Sequence, residues 1–129
     1  MVVGDGPQLA SLRRQFPGVR FAGARFGAAL SASFAGADVK VFPSRTDTFG
    51  LVVLESLACG TPVAAFPVTG PRDIPREGVT GALDEDLRAA CLRALAVDRN
   101  ACRAYAERCS WEACAEQFLA FLVPAGISA

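Results

Sequence analysis

The chain has 129 residues, enough for one compact domain with a hydrophobic core but too few for two. With 52% hydrophobic and 20% charged residues, it has the composition of a folded globular protein and not of a disordered one. Thirteen Lys and Arg balance thirteen Asp and Glu, which excludes the strong positive field that nucleic acids and anionic bilayers attract.

Cysteine spacing, the lack of histidine and hydropathy exclude further classes of protein. The five cysteines show no CxxC spacing and there is no histidine, so we expect no metal site and exclude Ser-His-Asp and Cys-His catalysis. We expect the cysteines to be small, buried apolar residues in a reducing compartment. No apolar run approaches the roughly 20 residues that span a bilayer, and we find no basic leader, so we expect a cytoplasmic protein without a transmembrane segment.

In the N-terminal half, short apolar runs alternate with segments of helical periodicity, which is typical of an α/β fold. Strands are predicted at residues 1–3, 19–21, 38–42 and 62–66, and helices at residues 9–16, 26–34 and 51–59. The runs are rich in Val and Phe and do not alternate strictly, so we expect four parallel strands covered by helices on both faces. Lys40, inside the third strand, must reach the rim of the sheet or a carboxylate.

The C-terminal part is predicted to be helical from Asp84 onward. The first helix places four apolar residues on one face, namely Leu87, Cys91, Leu92 and Leu95. A second helix is predicted near residues 99–108, and Ser110 is a good N-cap for a third, in which we expect Trp111 to be a core anchor. We treat residues 1–129 as one domain, with βα units over residues 1–83 and helices over residues 84–124.

The loop and helix after the third strand are predicted to carry the chemistry. The loop leaves the carboxyl end of its strand, where ligands bind in open α/β sheets. Gly50 allows close approach of a ligand to the backbone, and a helix that starts near Leu51 offers amide groups and a positive dipole end to a phosphate. The sequence therefore predicts an anion site at this helix N-terminus.

Two carboxylates flank this predicted anion site. Glu55, about one helical turn inside the helix, can accept hydrogen bonds from a diol such as ribose, and Asp47 can accept from hydroxyls on the far side of the phosphates. A nucleotide sugar has this layout, with a diol at each end and an anion between them. The alternative is that Asp47 only caps a turn and Glu55 lies on a solvated helix face.

Residues 42–63 resemble the acidic-x7-Glu signature of retaining glycosyltransferases of the GT-B type, especially glycosyltransferase family four (glycosyl transferases group 1). The resemblance covers roughly residues 2–122. It is carried by Pro43-Ser44, Phe49-Gly50-Leu51 and Gly60-x-Pro62-Val63, with further similarity at Val2 to Pro7, Val19 to Gly23, Gly78 to Gly81 and Ser110-Trp111. It implies a Rossmann-like parallel sheet with helices on both faces, the C-terminal half of a GT-B fold, and we expect N-terminal truncation because the first strand is short.

The resemblance also implies roles for individual residues. Asp47 is the predicted catalytic residue, which contacts hydroxyls of the transferred sugar, and it stands where the family more usually has Glu. The shorter side chain leaves the identity of the sugar open. The predicted donor-binding residues are Glu55, which holds the ribose hydroxyls, the backbone of Thr48, Phe49, Gly50 and Leu51, and Gly4 in a turn near the donor.

A basic pair that normally neutralises the diphosphate in the family is absent from this sequence. Arg45 and Arg72 are close enough in sequence to replace it, and the alternative is that both are surface arginines. The implied reaction is transfer of a sugar, with retention at the anomeric carbon, from a UDP- or GDP-type donor to an acceptor hydroxyl, with no cofactor and no metal required. The acceptor, a sugar or a lipid-linked glycan, would bind to an N-terminal domain that this chain lacks.

Two alternatives remain open. The chain is either half of a transferase or a non-catalytic module that binds nucleotide sugars or another protein. A Rossmann dehydrogenase needs a three-glycine fingerprint, and Leu9 stands where the third glycine would follow Gly4 and Gly6.

Without a partner domain, we expect an apolar or glycine-lined surface near Gly4, Ala24 and Gly50 to favour self-association.

Overall fold

A computed structural model describes residues 1–47 and 50–122. The elements follow the alternation that the sequence predicts. In chain order they are α1 (Leu9–Gln15), α2 (Gly27–Ala35), β1 (Lys40–Phe42), α3 (Leu51–Ala58), β2 (Val63–Ala65), a 3-10 turn (Pro71–Asp73), β3 (Gly81–Leu83), α4 (Leu87–Ala94), α5 (Arg99–Glu107) and α6 (Trp111–Ala120).

The sheet has three parallel strands in the order β1-β2-β3, with Lys40 opposite Val63 and Val63 opposite Gly81. The expectation of four strands was therefore wrong in two respects. The predicted strands at residues 1–3 and 19–21 pair only through an isolated parallel bridge between Val2 and Phe21. The strand β3 was not predicted, because residues 78–81 contain two glycines and were interpreted as a turn.

Helices cover both faces of this sheet, as predicted. Val63 and Ala65 of β2 join a core cluster with α3 and α5, whereas Ala64 between them packs with Ala82, Ala90 and Ala94 on the other side. Neighbouring residues of a strand point to opposite faces, so the alternation assigns α3 and α5 to one face and α4 to the other. Fully buried small residues on the α4 face allow that helix to lie close to the strands.

A network of polar contacts joins α2 to the rest of the fold. The Arg99 guanidinium donates to the carbonyl oxygens of Ala35 and Ala37 at 2.7 and 2.6 Å, where α2 ends. The Thr61 hydroxyl donates to the carbonyl oxygen of Phe34 at 2.6 Å. These donors satisfy carbonyl groups that the end of a helix leaves without intrahelical partners.

The C-terminal helices differ from the sequence prediction in which residues they bury. On α4 the buried residues are Ala90 and Ala94, whereas Leu92 and Leu95 are 61% and 58% exposed. Trp111 is 81% exposed, so its prediction as a core anchor was wrong. The N-cap role of Ser110 is confirmed, since its hydroxyl accepts a hydrogen bond from the Ala113 amide at 3.2 Å.

The cysteines and the expected exposed surface also need correction. Cys102 alone among the five cysteines is buried, while Cys109 and Cys114 are exposed, so a common buried role was wrong. Gly50 is buried and cannot contribute to an exposed surface, although Ala24 is exposed. In the described part of the chain, no helix combines the length and the apolar composition that crossing a membrane requires.

Candidate functional site

The site is built around the loop that follows β1 and the helix α3 that follows the loop. Gly50, with φ +79° and ψ +45°, is in the left-handed region and forms the N-cap of α3. A side chain there would be strained, and its Cβ would lie 3.5 Å from Val53 Cγ2 and 3.7 Å from Ile74 Cδ1. Glycine therefore lets the loop turn sharply into the helix under the neighbouring Ile74.

The N-terminus of α3 has an electrostatic character that suits an anion. Its first turn contains no acidic residue, and no side-chain cap is recorded at Gly50 among the described residues. The first amides of a helix have no intrahelical acceptor, and the helix dipole places partial positive charge there. The arrangement can hold a phosphate group, as the sequence predicted for this helix.

Glu55 is exposed on α3 and faces a groove of about 770 Å³. Leu51 and Glu55 lie one turn apart on the same wall of this groove, so the structure brings together two of the predicted donor-binding residues. The opposite wall comes from α5 and α6 and includes Tyr105, Arg108, Trp111 and Cys114.

Lys40 is a cation in the electrostatic neighbourhood of Glu55. Burial lowers the pKa of Lys40 below its usual value, and the negative charge of Glu55 partly opposes this shift. The Lys40 ammonium also lies 5.6 Å from the centre of the Phe34 ring. The sequence predicted that Lys40 would reach the rim of the sheet or a carboxylate; Glu55 acts on its charge, and no ion pair between the two is among the contacts of the described residues.

Asp47 lines a second, separate recess of about 440 Å³ together with Arg45, Thr46 and Thr69. Asp47 is partly buried. The backbone of Gly70 lies beside it, since a Cβ on Gly70 would be 3.3 Å from Asp47 Cβ. The loops that follow β1 and β2 meet here, because the carboxyl ends of neighbouring parallel strands lie at the same edge of a sheet.

Arg45 and Arg72 were the candidates for neutralising a diphosphate. The Arg45 guanidinium stacks on the Phe66 ring at 4.0 Å and forms an exposed ion pair with Glu85 at 3.3 Å. Arg45 thus lines the recess, and its guanidinium is paired with the carboxylate of Glu85, which follows β3. Arg72 is exposed on the 3-10 turn.

The remaining predicted residues are Gly4, which is not among the residues that line the groove or the recess, and Thr48 and Phe49. Gly4 follows the Val2–Phe21 bridge, and its amide donates to the Gly23 carbonyl at 2.8 Å. This hydrogen bond joins Gly4 to another part of the N-terminal segment. Thr48 and Phe49 lie outside the described residues. The structure therefore joins Asp47, Gly50, Leu51 and Glu55 along one loop and helix.

Comparison with known proteins identifies the family. Residues 1–97 match the family model described as glycosyl transferases group 1. The chain belongs to this family. Because the match covers α1 to α4 and all three strands, the loop and helix that carry Asp47 and Glu55 lie inside the family domain.

Curated group 1 relatives share substantial sequence with this chain. A D-inositol 3-phosphate glycosyltransferase of Geodermatophilus obscurus is 41% identical over 99 residues, which are 70% of this chain and 22% of the relative. A GDP-mannose-dependent alpha-mannosyltransferase of Mycobacterium tuberculosis is 42% identical over 83 residues, 64% of this chain and 22% of the relative. Sulfoquinovosyl transferase SQD2 of Arabidopsis thaliana is 38% identical over 127 residues, 86% of this chain and 25% of the relative. The chain thus spans about a quarter of the length of these relatives.

Solved structures show the same fold. The apo form of the lipopolysaccharide outer core galactosyltransferase WaaB has a TM-score of 0.75 and 17% identity, with 91% of this chain and 38% of that chain covered. Anabaena Alr3699/HepE in complex with UDP-glucose has a TM-score of 0.67 and 26% identity, with 82% of this chain and 35% of that chain covered. The fold of this group 1 domain is therefore a Rossmann-like half of a GT-B architecture.

Sequence reasoning missed the contribution of the loop after β2 to this group 1 site. Thr69 lines the Asp47 recess, Gly70 contacts Asp47, and Ile74 packs beside Gly50. A signal was present, because Thr69-Gly70-Pro71 directly follows the predicted strand at residues 62–66. The carboxyl end of that strand had to lie next to the loop between β1 and α3 in a parallel sheet.

Proposed function

We propose that this chain supplies the donor-binding half of a retaining glycosyltransferase. The enzyme transfers a sugar from a UDP- or GDP-type donor to an acceptor hydroxyl. The observation that carries the proposal is the arrangement around α3: a left-handed Gly50 at its N-cap, Glu55 one turn inside, and Asp47 in the recess before it. Similarity to a GDP-mannose-dependent mannosyltransferase and to a protein in complex with UDP-glucose supports the donor class.

The diphosphate of the donor would lie at the N-terminus of α3. Partial positive charge and available amides there stabilise the negative charge that grows on the leaving group when the bond to the anomeric carbon breaks. This is electrostatic catalysis, and it requires neither a protein nucleophile nor a metal ion.

The two carboxylates would act on opposite sides of the diphosphate. Glu55, which is exposed on α3, accepts hydrogen bonds from the ribose hydroxyls. Asp47, in its separate recess, accepts from hydroxyls of the transferred sugar. Glu55 thus recognises every nucleotide of the class, whereas Asp47 recognises the sugar.

Binding of the acceptor would require surfaces beyond this domain, because the chain covers only about a quarter of its curated relatives. An acceptor sugar or lipid-linked glycan would bind to the other domain of the GT-B fold, across the interdomain cleft. The chain by itself would bind the donor weakly, since half a cleft buries only part of the ligand. It would show negligible transfer.

Ligand binding by the purified 129-residue chain tests this proposal. UDP, GDP and a panel of their sugars are titrated by calorimetry, and saturation-transfer NMR detects the weaker complexes. We expect binding of at least one nucleotide series and none of NADH, which a Rossmann dehydrogenase would favour. No binding of any nucleotide would contradict the proposal, and donor turnover above that of a heat-killed control would contradict the expected inactivity of the isolated chain.

A further inference from the structure

The loop after β2 lies against the loop between β1 and α3, which we call the donor loop, at both of its described ends. At one end, Gly70 approaches Asp47 so closely that an added Cβ would lie 3.3 Å from Asp47 Cβ and 3.5 Å from its backbone carbonyl oxygen. At the other end, Ile74 would lie 3.7 Å from a Cβ added at Gly50. One segment, from Gly70 to Ile74, therefore contacts the donor loop both before and after its centre.

Local interactions hold this supporting segment in place. The Arg72 amide donates to the Val68 carbonyl at 2.9 Å, and the Asp73 amide donates to the Gly70 carbonyl at 3.1 Å. Ile74 is 5% exposed and belongs to the core cluster with α3 and α5. The core thus anchors the segment at its C-terminal end. At the N-terminal end of the same segment, Gly70 lies beside Asp47.

Gly70 adopts an unusual backbone conformation at the contact with Asp47. Its φ of +89° and ψ of −80° lie in the positive-φ γ-turn region, which glycine adopts without strain and residues with a Cβ rarely adopt. A residue with a side chain would be strained here and would also displace Asp47.

Thr69, next to Gly70, completes the wall of the recess. It is exposed, and it lines the recess of about 440 Å³ together with Asp47, Arg45 and Thr46. A hydroxyl can both donate and accept a hydrogen bond, whereas a carboxylate only accepts. Together, Thr69 and Asp47 offer both functions to the ring hydroxyls of a sugar.

We propose that the Thr69–Gly70 turn positions Asp47 and that the Thr69 hydroxyl forms, with the Asp47 carboxylate, a sugar-selective wall of the recess. The ligand class is the hydroxylated ring of the transferred sugar, and the nucleotide is held elsewhere, by α3 and Glu55. This inference rests on the proposed function. Gly70 is a positioning residue, and Thr69 is a specificity residue.

The test uses the 129-residue chain with a nucleoside diphosphate and with the nucleotide sugar of the panel that binds best. Thr69→Val keeps the shape and removes the hydroxyl, and we expect about three- to tenfold weaker binding of the nucleotide sugar, the loss typical of one hydrogen bond. The diphosphate affinity should stay within twofold, and Thr69→Ser should restore binding of the sugar. Saturation transfer to the sugar ring protons should fall relative to the ribose protons.

The positioning role is tested by Gly70→Ala, with Gly78→Ala as a matched control. Both glycines have positive φ, +89° and +72°, but a Cβ on Gly78 meets nothing within 4 Å. Both variants therefore place a Cβ on a residue of positive φ, and only the Cβ of Gly70→Ala would meet Asp47. We expect Gly70→Ala to weaken the nucleotide sugar about tenfold more than the free diphosphate, and Gly78→Ala to change neither affinity.

The outcomes separate this inference from the proposed function. If the native chain binds no nucleotide, the proposed function fails and the inference fails with it. If the native chain binds nucleotide sugars but Thr69→Val leaves their affinity unchanged, the inference alone is wrong. The inference is also wrong if Thr69→Val weakens binding of the free diphosphate as much as binding of the nucleotide sugar. The Thr69→Val measurements decide the question even if Gly70→Ala fails to fold.

Discussion

Replacement of the two carboxylates by amides should separate recognition of the nucleotide from recognition of the sugar. Glu55→Gln should weaken the free nucleoside diphosphate and the nucleotide sugar alike, because both ligands carry the ribose. Asp47→Asn should weaken the nucleotide sugar only. The structure favours this separation, because Glu55 lines the groove between α3 and α6 while Asp47 lines a different recess.

The magnitude follows from the kind of contact that is lost. A hydrogen bond to a charged group contributes about 1.5 to 3 kcal/mol, which corresponds to a tenfold to hundredfold loss of affinity. Because Glu55 is exposed in the isolated chain, we expect its loss to lie near the lower value. Glu and Gln are both good helix formers, so the stability of α3 should barely change.

Isothermal titration calorimetry with both ligands on both variants measures the effect, with thermal melts to verify folding. Glu107→Gln is a matched control, since Glu107 is an exposed residue of α5 whose carboxylate pairs with Arg103. It should leave both affinities unchanged. If Glu55→Gln also left both unchanged, the ribose assignment would be refuted, and Glu55 would be a solvated residue on a helix surface.

Three further predictions concern the fold. Arg99→Ala should lower the free energy of unfolding, measured in urea, by about 1 to 3 kcal/mol, because it removes the donors to the carbonyls of Ala35 and Ala37 at the end of α2. Arg103 forms only an exposed ion pair, so a loss as small as that of Arg103→Ala would contradict the prediction. In the native chain, the free energy of unfolding should rise with pH between the lowered pKa of Lys40 and 10.5, because in this range the unfolded chain holds a proton that the folded chain has lost. Lys40→Met should abolish this rise, and an unchanged pH profile would contradict the prediction. Iodoacetamide followed by mass spectrometry should label Cys109 in the folded chain well before Cys102, because Cys102 is buried and burial raises its pKa to about 11; equal rates would contradict it.

Local patterns in the sequence predicted the helices well. α3 begins at Leu51, α5 lies close to the predicted residues 99–108, and α6 follows the predicted N-cap Ser110. The side chain of Asp98 caps α5 and that of Ser110 caps α6, and such caps can be recognised from a few adjacent residues. The loop between β1 and α3 was predicted for the same reason, since a strand, a glycine and a helix follow one another directly.

Features that depend on distant contacts were predicted poorly. Helical periodicity shows that Leu92 and Leu95 share a face with Cys91, but it cannot show whether anything covers that face. Trp111 is a similar case, because an apolar residue on an exposed helix has the same spacing as one in a core. Strand β3 was missed because a glycine at Gly81 is needed against the Val63 carbonyl, and glycine in sequence favours a turn.

The candidate site combines both kinds of information. Asp47 and Glu55 belong to one continuous segment and could be recognised from their spacing, whereas Thr69 and Gly70 reach Asp47 only because β1 and β2 are neighbours in the sheet. If Thr69 and Asp47 select the sugar together, specificity resides on two neighbouring loops that line one recess. A substitution at Asp47 that restored the longer Glu would then have to fit against Gly70 and Thr69. Because Asp47 lines the recess, we expect the extra methylene to extend into it and to reduce the space for the sugar ring. We therefore expect Asp47→Glu to change which nucleotide sugar of the panel binds best, while the affinity for the free diphosphate stays the same; calorimetry across the panel measures this. An unaltered order of sugars would show that the recess does not select the ring.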